Sequence, residues 1–289
     1  MSKIYSLIAL LPFIQFGLVN AHVAAWAKGM YCLNGTRPGI DDQDNSAPVQ
    51  PLFELSKNDW WMQGITKCMD FPPPQGTFLT LPANRDFKVE LATNRGFTTL
   101  GWGGTRLTKF AGPINVPEDQ FGKSGKCITD PNIHTINEET AAGTVFAIAY
   151  KSDPRAVQPE DLTVFTVKYH TVWYREVTYD VPDLPECPPD GCVCAWGWVP
   201  TDTCGEPNMY MQPFKCTVTG SSPNARPVAP AKPPVYCEGN PSGCTAGAKQ
   251  MVFYNQLEGN NVQYDSAKGN PYYNERMGFK EGRQADIFT

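Results

Sequence analysis

Three histidines, His22, His134 and His170, are all the imidazole this chain of 289 residues carries, and one of them stands where it could become a terminus. Lys3 gives a positive start, Ile4 to Val19 is largely apolar, and Val19-Asn20-Ala21 then brings small or modest residues. That order is the pattern of a secretory leader with its cleavage site. Cutting after Ala21 makes His22 the first residue of the mature chain. An N-terminal histidine offers a free α-amine and its own imidazole, and the two can chelate one metal ion. The amine titrates near about 7.7–8.0, so giving up its proton to a metal at neutral pH costs little. A second imidazole completes a T of three nitrogens, which suits Cu(II) and leaves positions open for an oxygen species. Such a donor set, free of carboxylates, would hold magnesium or calcium badly.

Two residues can supply the second imidazole. His134 lies in a polar loop, Asp130-Pro131-Asn132-Ile133-His134-Thr135, just before the apolar run Thr144 to Tyr150. His170 ends a candidate strand beside Tyr169 and Trp173. A loop histidine is commonly a solvated surface group and a strand-end histidine a packing group, and spacing alone leaves both open. The ten cysteines, Cys32, Cys68, Cys127, Cys187, Cys192, Cys194, Cys204, Cys216, Cys237 and Cys244, all follow the leader. The bunching from Cys187 to Cys216 has a superficial zinc spacing, but an even set in an exported chain points to up to five disulfides. Asn34-Gly35-Thr36 is a glycosylation sequon, which requires a surface position.

Lys and Arg number 24 against 29 Asp and Glu, a formal charge of −5 that grows by one without Lys3. So acidic a balance argues against nucleic acid and anionic membrane as partners, and fits a neutral partner such as a glycan. The leader's apolar stretch is shorter than the roughly 20 residues a membrane span needs, so secretion to the extracellular space is expected.

The elements that must position these groups read as strands. Phe87, Val89 and Leu91 alternate with Lys88 and Glu90, the period of a half-buried strand. Thr144 to Tyr150, Leu162 to His170, Val172 to Val181, Cys192 to Val199 and Asn208 to Val218 are further runs of strand length. Joined by Gly- and Pro-rich connections, they predict an all-β, immunoglobulin-like antiparallel sandwich with long loops. Helix signals are few: Ser56 to Gln63 with Ser56 as cap, and a turn over Glu138 to Ala142. The expected organisation is a leader (1–21) and one domain (22–289). Within that domain, 220–234 reads as a Pro-rich connector, and 235–289 as an extension too short and polar for its own core.

His22-Val23-Ala24-Ala25-Trp26 with Met30-Tyr31 resembles the mature start of the lytic polysaccharide monooxygenases of auxiliary activity family 14. The resemblance runs on through Asp59-Trp60-Trp61, Met69-Asp70-Phe71-Pro72-Pro73, Leu81-Pro82-Ala83, Ala147 to Asp153, and Val157 to Asp161. It continues in Cys192 to Trp198, Met209-Tyr210-Met211, Gly247 to Gln250, Glu258 to Asn261, and Asp286-Ile287-Phe288. It therefore spans most of the mature chain, in order. The family's histidine brace implies one copper per chain held by His22 and His134, the latter chosen over His170 because it precedes the matching strand. The family's axial tyrosine matches Tyr210.

Strand alternation puts Asn208 and Gln212 on the face of Tyr210, where an amide could hydrogen-bond a bound oxygen species. The family pattern often carries glutamine where this chain has Asn208, and Glu206 is the neighbouring alternative. His170, Thr171, Cys32, Cys68 and the region Gly101 to Gly125 also depart from it. The resemblance implies a monomeric enzyme that oxidises an insoluble polysaccharide, xylan on cellulose, with oxygen or hydrogen peroxide and an external reductant as electron donor. The rival reading is a non-catalytic copper carrier with the same brace. Exposed aromatics around His22 would separate the two, and Trp26, Trp60 and Trp61 are the candidates. A glycoside hydrolase would need two carboxylates about 5–9.5 Å apart, and nothing in the sequence pairs Glu138, Glu139 or Glu160 that way.

Overall fold

The computed structural model describes residues 22–289, so the leader lies outside the described residues. Nine strands form two sheets: β1 Ala24–Trp26, β2 Leu79–Pro82, β3 Asp86–Ala92, β4 Thr144–Ala149, β5 Thr163–Lys168, β6 Glu176–Asp180, β7 Cys192–Trp198, β8 Tyr210–Thr219 and β9 Gly282–Arg283. One sheet has the order β1-β3-β6 and the other β2-β8-β7-β4-β5-β9. Every pairing is antiparallel except β2 with β8, an edge pairing that no local pattern announces. The protein is an all-β sandwich with few and short helices.

Two apolar clusters explain why some strands alternate and others do not. In β3, Phe87, Val89 and Leu91 point into the space between the sheets while Lys88 faces water. β4 and β7 are buried along their whole length. Phe146, Ile148, Cys194 and Trp196 join the inter-sheet cluster, and Val145, Ala147, Val193 and Ala195 join a second cluster on the outer face. Trp60, Trp61, Met251, Phe253, Tyr254 and Tyr273 cover that outer face. A central strand covered on both sides reads as a continuous apolar run.

The short helix α1 spans Lys57–Trp60, and Ser56 stands at its cap with its hydroxyl donating to Asp59 at 2.6 Å. It stops short of Gln63 because Met62 and Gln63 take left-handed φ values of 50° and 59°. The expected strand at Val172 begins only at Glu176. Val172 sits at φ 65°, and Trp173 and Arg175 hydrogen-bond instead to Ala111 and Lys109. The turn over Glu138 to Ala142 closes with Ala141 N–H donating to the Glu138 carbonyl at 3.1 Å.

All ten cysteines pair, as Cys32–Cys68, Cys127–Cys204, Cys187–Cys192, Cys194–Cys216 and Cys237–Cys244. Oxidised sulfurs cannot ligate zinc, so the zinc reading of the Cys187–Cys216 cluster is closed. Asn34 is exposed, as a sequon asparagine must be. Among the described residues no helix is long and apolar enough to cross a membrane.

Candidate metal centre

Tyr210 opens β8 directly opposite Trp198, the last residue of β7. Their rings stack at 4.4 Å between centroids with 25° between planes, and both are buried. This contact fixes the phenol where the two sheets meet. His22 arrives from the other sheet, two residues before β1, and its Nδ1 lies 2.8 Å from Tyr210 Oη.

His134 comes from a loop that is tied shut. Ile128 N–H donates to the Thr135 carbonyl at 2.9 Å, and Asn132 Oδ1 accepts from His134 N–H at 3.2 Å. The backbone of His134 is left-handed, φ 50°, a conformation that surrounding structure must maintain for a residue with a Cβ. Its Nδ1 is 3.1 Å from the Cys204 carbonyl, and Cys204 is bonded to Cys127 at the base of the same loop. A carbonyl can only accept, so Nδ1 carries the proton and Nε2 keeps a free lone pair. That Nε2 is 3.2 Å from Tyr210 Oη. The imidazoles of His22 and His134 lie 5.7 Å apart, nearly parallel at 15°.

Nδ1 of His22, Nε2 of His134 and Oη of Tyr210 therefore converge from three separate segments. Burial pushes the His22 imidazole down to about 4, with the neighbouring His134 adding to the effect. Burial also lowers His134, partly opposed by the Cys204 carbonyl and the Glu206 carboxylate. Both rings are thus neutral, with lone pairs available, at neutral pH. The Tyr210 phenol moves the opposite way, well above its ordinary value, through burial first and then Glu206 and Tyr254. It stays a neutral hydroxyl.

Such a set of two neutral imidazoles and a phenol fits a borderline or soft late transition metal and fits Mg²⁺ or Ca²⁺ poorly. Among the described residues no three His, Cys, Asp or Glu side chains gather closely enough to hold a metal. A metal at this point therefore draws on a donor outside that group, as a phenol or a terminal amine provides.

The expected residues fall into two groups. His22, His134 and Tyr210 come together. His170 does not join them: it is exposed and meets Tyr169 edge-on at 6.4 Å. Asn208 is buried two residues before Tyr210, and neither its Oδ1 nor its Nδ2 has a partner. Gln212 donates to the Tyr31 carbonyl at 2.9 Å but leaves its Oε1 unpaired. Glu206 is exposed, yet it acts electrostatically on both His134 and Tyr210.

The aromatic platform expected from Trp26, Trp60 and Trp61 is corrected. All three are buried, Trp26 donates its indole N–H to the Ala92 carbonyl, and Trp60 donates to Glu258. Sequence reasoning passed over Trp198 and the Cys204 carbonyl. The first had a signal, since pairing the runs Cys192 to Val199 and Asn208 to Val218 as a hairpin sets Trp198 against Tyr210.

Sandwich and donors together make a centre whose chemistry suits a nitrogen-ligated late transition metal. The lytic polysaccharide monooxygenase AA14 family matches residues 4–289. The chain is 37% identical over 283 residues to AA14 family lytic polysaccharide monooxygenase B of Pycnoporus cinnabarinus, covering 94% of this chain and 71% of that one. It is 37% identical over 286 residues to the protein of the same description from Trametes coccinea, of which it spans 64%. With a Talaromyces rugulosus relative described in the same words, identity is 34% over 280 residues and coverage is 94% of both chains. The chain belongs to the AA14 lytic polysaccharide monooxygenases, copper-dependent oxidoreductases that degrade polysaccharides.

Proposed function

We propose that the mature protein begins at His22 after export and holds one copper ion. The His22 amine and Nδ1 and the His134 Nε2 would hold it, with Tyr210 Oη beside these side-chain nitrogens as a further oxygen donor. The convergence of those side-chain atoms, 2.8 and 3.2 Å from the phenol oxygen, is the observation that carries the reading. Copper supplies one-electron redox chemistry toward oxygen or hydrogen peroxide, fed by an external reductant, and the outcome is oxidative cleavage of a glycosidic linkage.

The chain's own contribution is positional. The Cys204 carbonyl holds the His134 ring in one tautomer and one orientation, as second partners of metal-bound histidines do. Trp198 walls off one face of Tyr210 and keeps water from the phenol. The high proton affinity of Tyr210 keeps it a hydroxyl rather than a phenolate. Asn208, with both amide atoms buried and unpartnered, is the residue we assign to hydrogen-bond the oxygen co-substrate. Glu206, whose charge reaches both His134 and Tyr210, is the alternative.

The substrate is a plant cell-wall polysaccharide, xylan lying on cellulose, and the protein acts as a secreted monomer. Support comes from family membership and from an acidic net charge of −5, which suits a neutral partner. Intact-mass analysis of the secreted protein tests the terminus, and calorimetry tests the ligands. His134→Ala abolishes tight copper binding and His170→Ala spares it; the reverse order sinks the ligand assignment. Copper-loaded protein with reductant releases oxidised oligosaccharides from xylan-coated cellulose, while His134→Ala at equal total copper does not. Equal release by both would assign the activity to free copper, and leave this protein a carrier.

A further inference from the structure

Away from Tyr210 the fold commits unusual backbone to one exposed indole. Trp102, Gly103 and Gly104 take φ values of 48°, 59° and 71°, three consecutive left-handed residues. Glycine tolerates that region, but a bulky aromatic there persists only where surrounding contacts impose it. Those contacts are present. Gln43 Oε1 accepts from Trp102 N–H at 2.9 Å, and Asp44 Oδ1 accepts from the indole N–H at 2.9 Å. Arg106 lies over the ring at 4.4 Å and donates to the same Asp44 oxygen at 2.9 Å. Despite this grip Trp102 is 42% exposed, and a Cβ on the adjacent Gly103 would meet only open space. The indole is rigidly held and left in water, where its apolar surface costs free energy until something covers it.

Register gives its position. β1 pairs with β3 through Ala24↔Ala92, and at that same end of the ladder His22 stands two residues before β1 and Asn94 two residues past β3. Asn94 Oδ1 accepts from Gly96 N–H at 2.8 Å, and a Cβ at Gly96 would collide with the Asp44 carboxylate. Asp44 is the residue that grips Trp102. Asn94, Gly96, Asp44 and Trp102 are thus successive neighbours, leading to the indole from the end of the β1–β3 ladder at which His22 also stands.

A pyranose ring presents axial C–H groups on its faces, and these pack on the face of an aromatic ring while its hydroxyls meet polar groups at the edge. Here the edge groups are Asp44 and Arg106, which already neutralise one another. The platform therefore offers no net charge and suits an uncharged sugar.

We propose that Trp102 is a sugar-stacking residue that fixes how a neutral polysaccharide chain lies across the metal centre, and so determines specificity. The inference rests on the polysaccharide reading given above. It is tested with metal-free protein by depletion from solution onto xylan-coated cellulose, beside copper calorimetry on the same variants. Alanine is no more strained than tryptophan at this φ, so Trp102→Ala keeps the fold. Its retention falls about tenfold, the scale of one lost aromatic contact, with copper affinity unchanged, and Trp102→Phe recovers most of the loss. Wild-type retention by Trp102→Ala overturns the inference and leaves the polysaccharide reading intact. A wild-type protein that neither binds nor oxidises any polysaccharide overturns both.

Discussion

Removing the Cys127–Cys204 disulfide probes whether the loop that carries His134 is held by the covalent bridge or by packing alone. The bridge closes a sequence separation of 77 residues. Loop-closure entropy for a ring of that size amounts to about 4.5 kcal/mol at 25 °C. For a domain of this length that corresponds to a Tm lower by roughly 8 °C. The same change frees the Cys204 backbone, whose carbonyl accepts from His134 Nδ1 at 3.1 Å. Losing such a partner typically weakens metal affinity by about 10–100-fold. The double variant Cys127→Ser/Cys204→Ser is therefore expected to show both effects. Scanning calorimetry reads the first, and copper titration at a temperature where circular dichroism shows the variant folded reads the second. Full destabilisation with undiminished copper affinity would refute the reasoning, because it would mean that the Cys204 carbonyl stays in place without its bridge.

Other consequences follow from burial and protonation. The His22 imidazole is pushed down to about 4 and His134 is lowered too, so between those values and about 6.5 the unfolded chain binds more protons than the folded one. Stability of the metal-free protein is therefore full above about pH 6.5 and is lost as pH falls toward 4. Urea midpoints across that range check it, and a flat profile in wild type would contradict it. Trp60, fully buried against Phe253 and Trp61, should cost about 3–5 kcal/mol when changed to Ala. Retention on polysaccharide should be unaffected in the surviving folded protein; a selective loss of retention would restore Trp60 to the binding face.

The strands of the sandwich were legible where one physical cause acted alone. β3 alternates because only one of its faces is covered, and β4 and β7 read as apolar runs because both are covered. β1, β2 and β9 were not legible. They are 3, 4 and 2 residues long, and each is a strand only because a distant partner supplies its hydrogen bonds. The same limit misplaced the aromatics. Nothing local distinguishes Trp60 and Trp61, closed over by Phe253 almost 200 residues later, from Trp102, which is left open.

The centre shows the division more sharply. Residue chemistry singled out His22 at the predicted terminus and narrowed the second imidazole to His134 or His170, while the choice of His134 and of Tyr210 came from the family resemblance. What places those donors was hidden. His134 depends on a left-handed backbone and a carbonyl 70 positions away, neither of which has a residue-type signature, and on the Cys127–Cys204 bridge, whose cysteines were legible but whose pairing was not. The unpaired amide of Asn208 and the unpaired indole N–H of Trp198 are likewise invisible without coordinates. Buried polar atoms without partners weaken a fold, and a structure retains them where something else bonds to them. Asn208 stands two residues before Tyr210, just outside β8, and Trp198 stacks on the Tyr210 ring. Thr166, Gln212, Ser221 and Arg276 also carry buried unpaired atoms, so such atoms do not by themselves mark the centre; what marks it is the convergence of side chains from three separate segments on the Tyr210 hydroxyl.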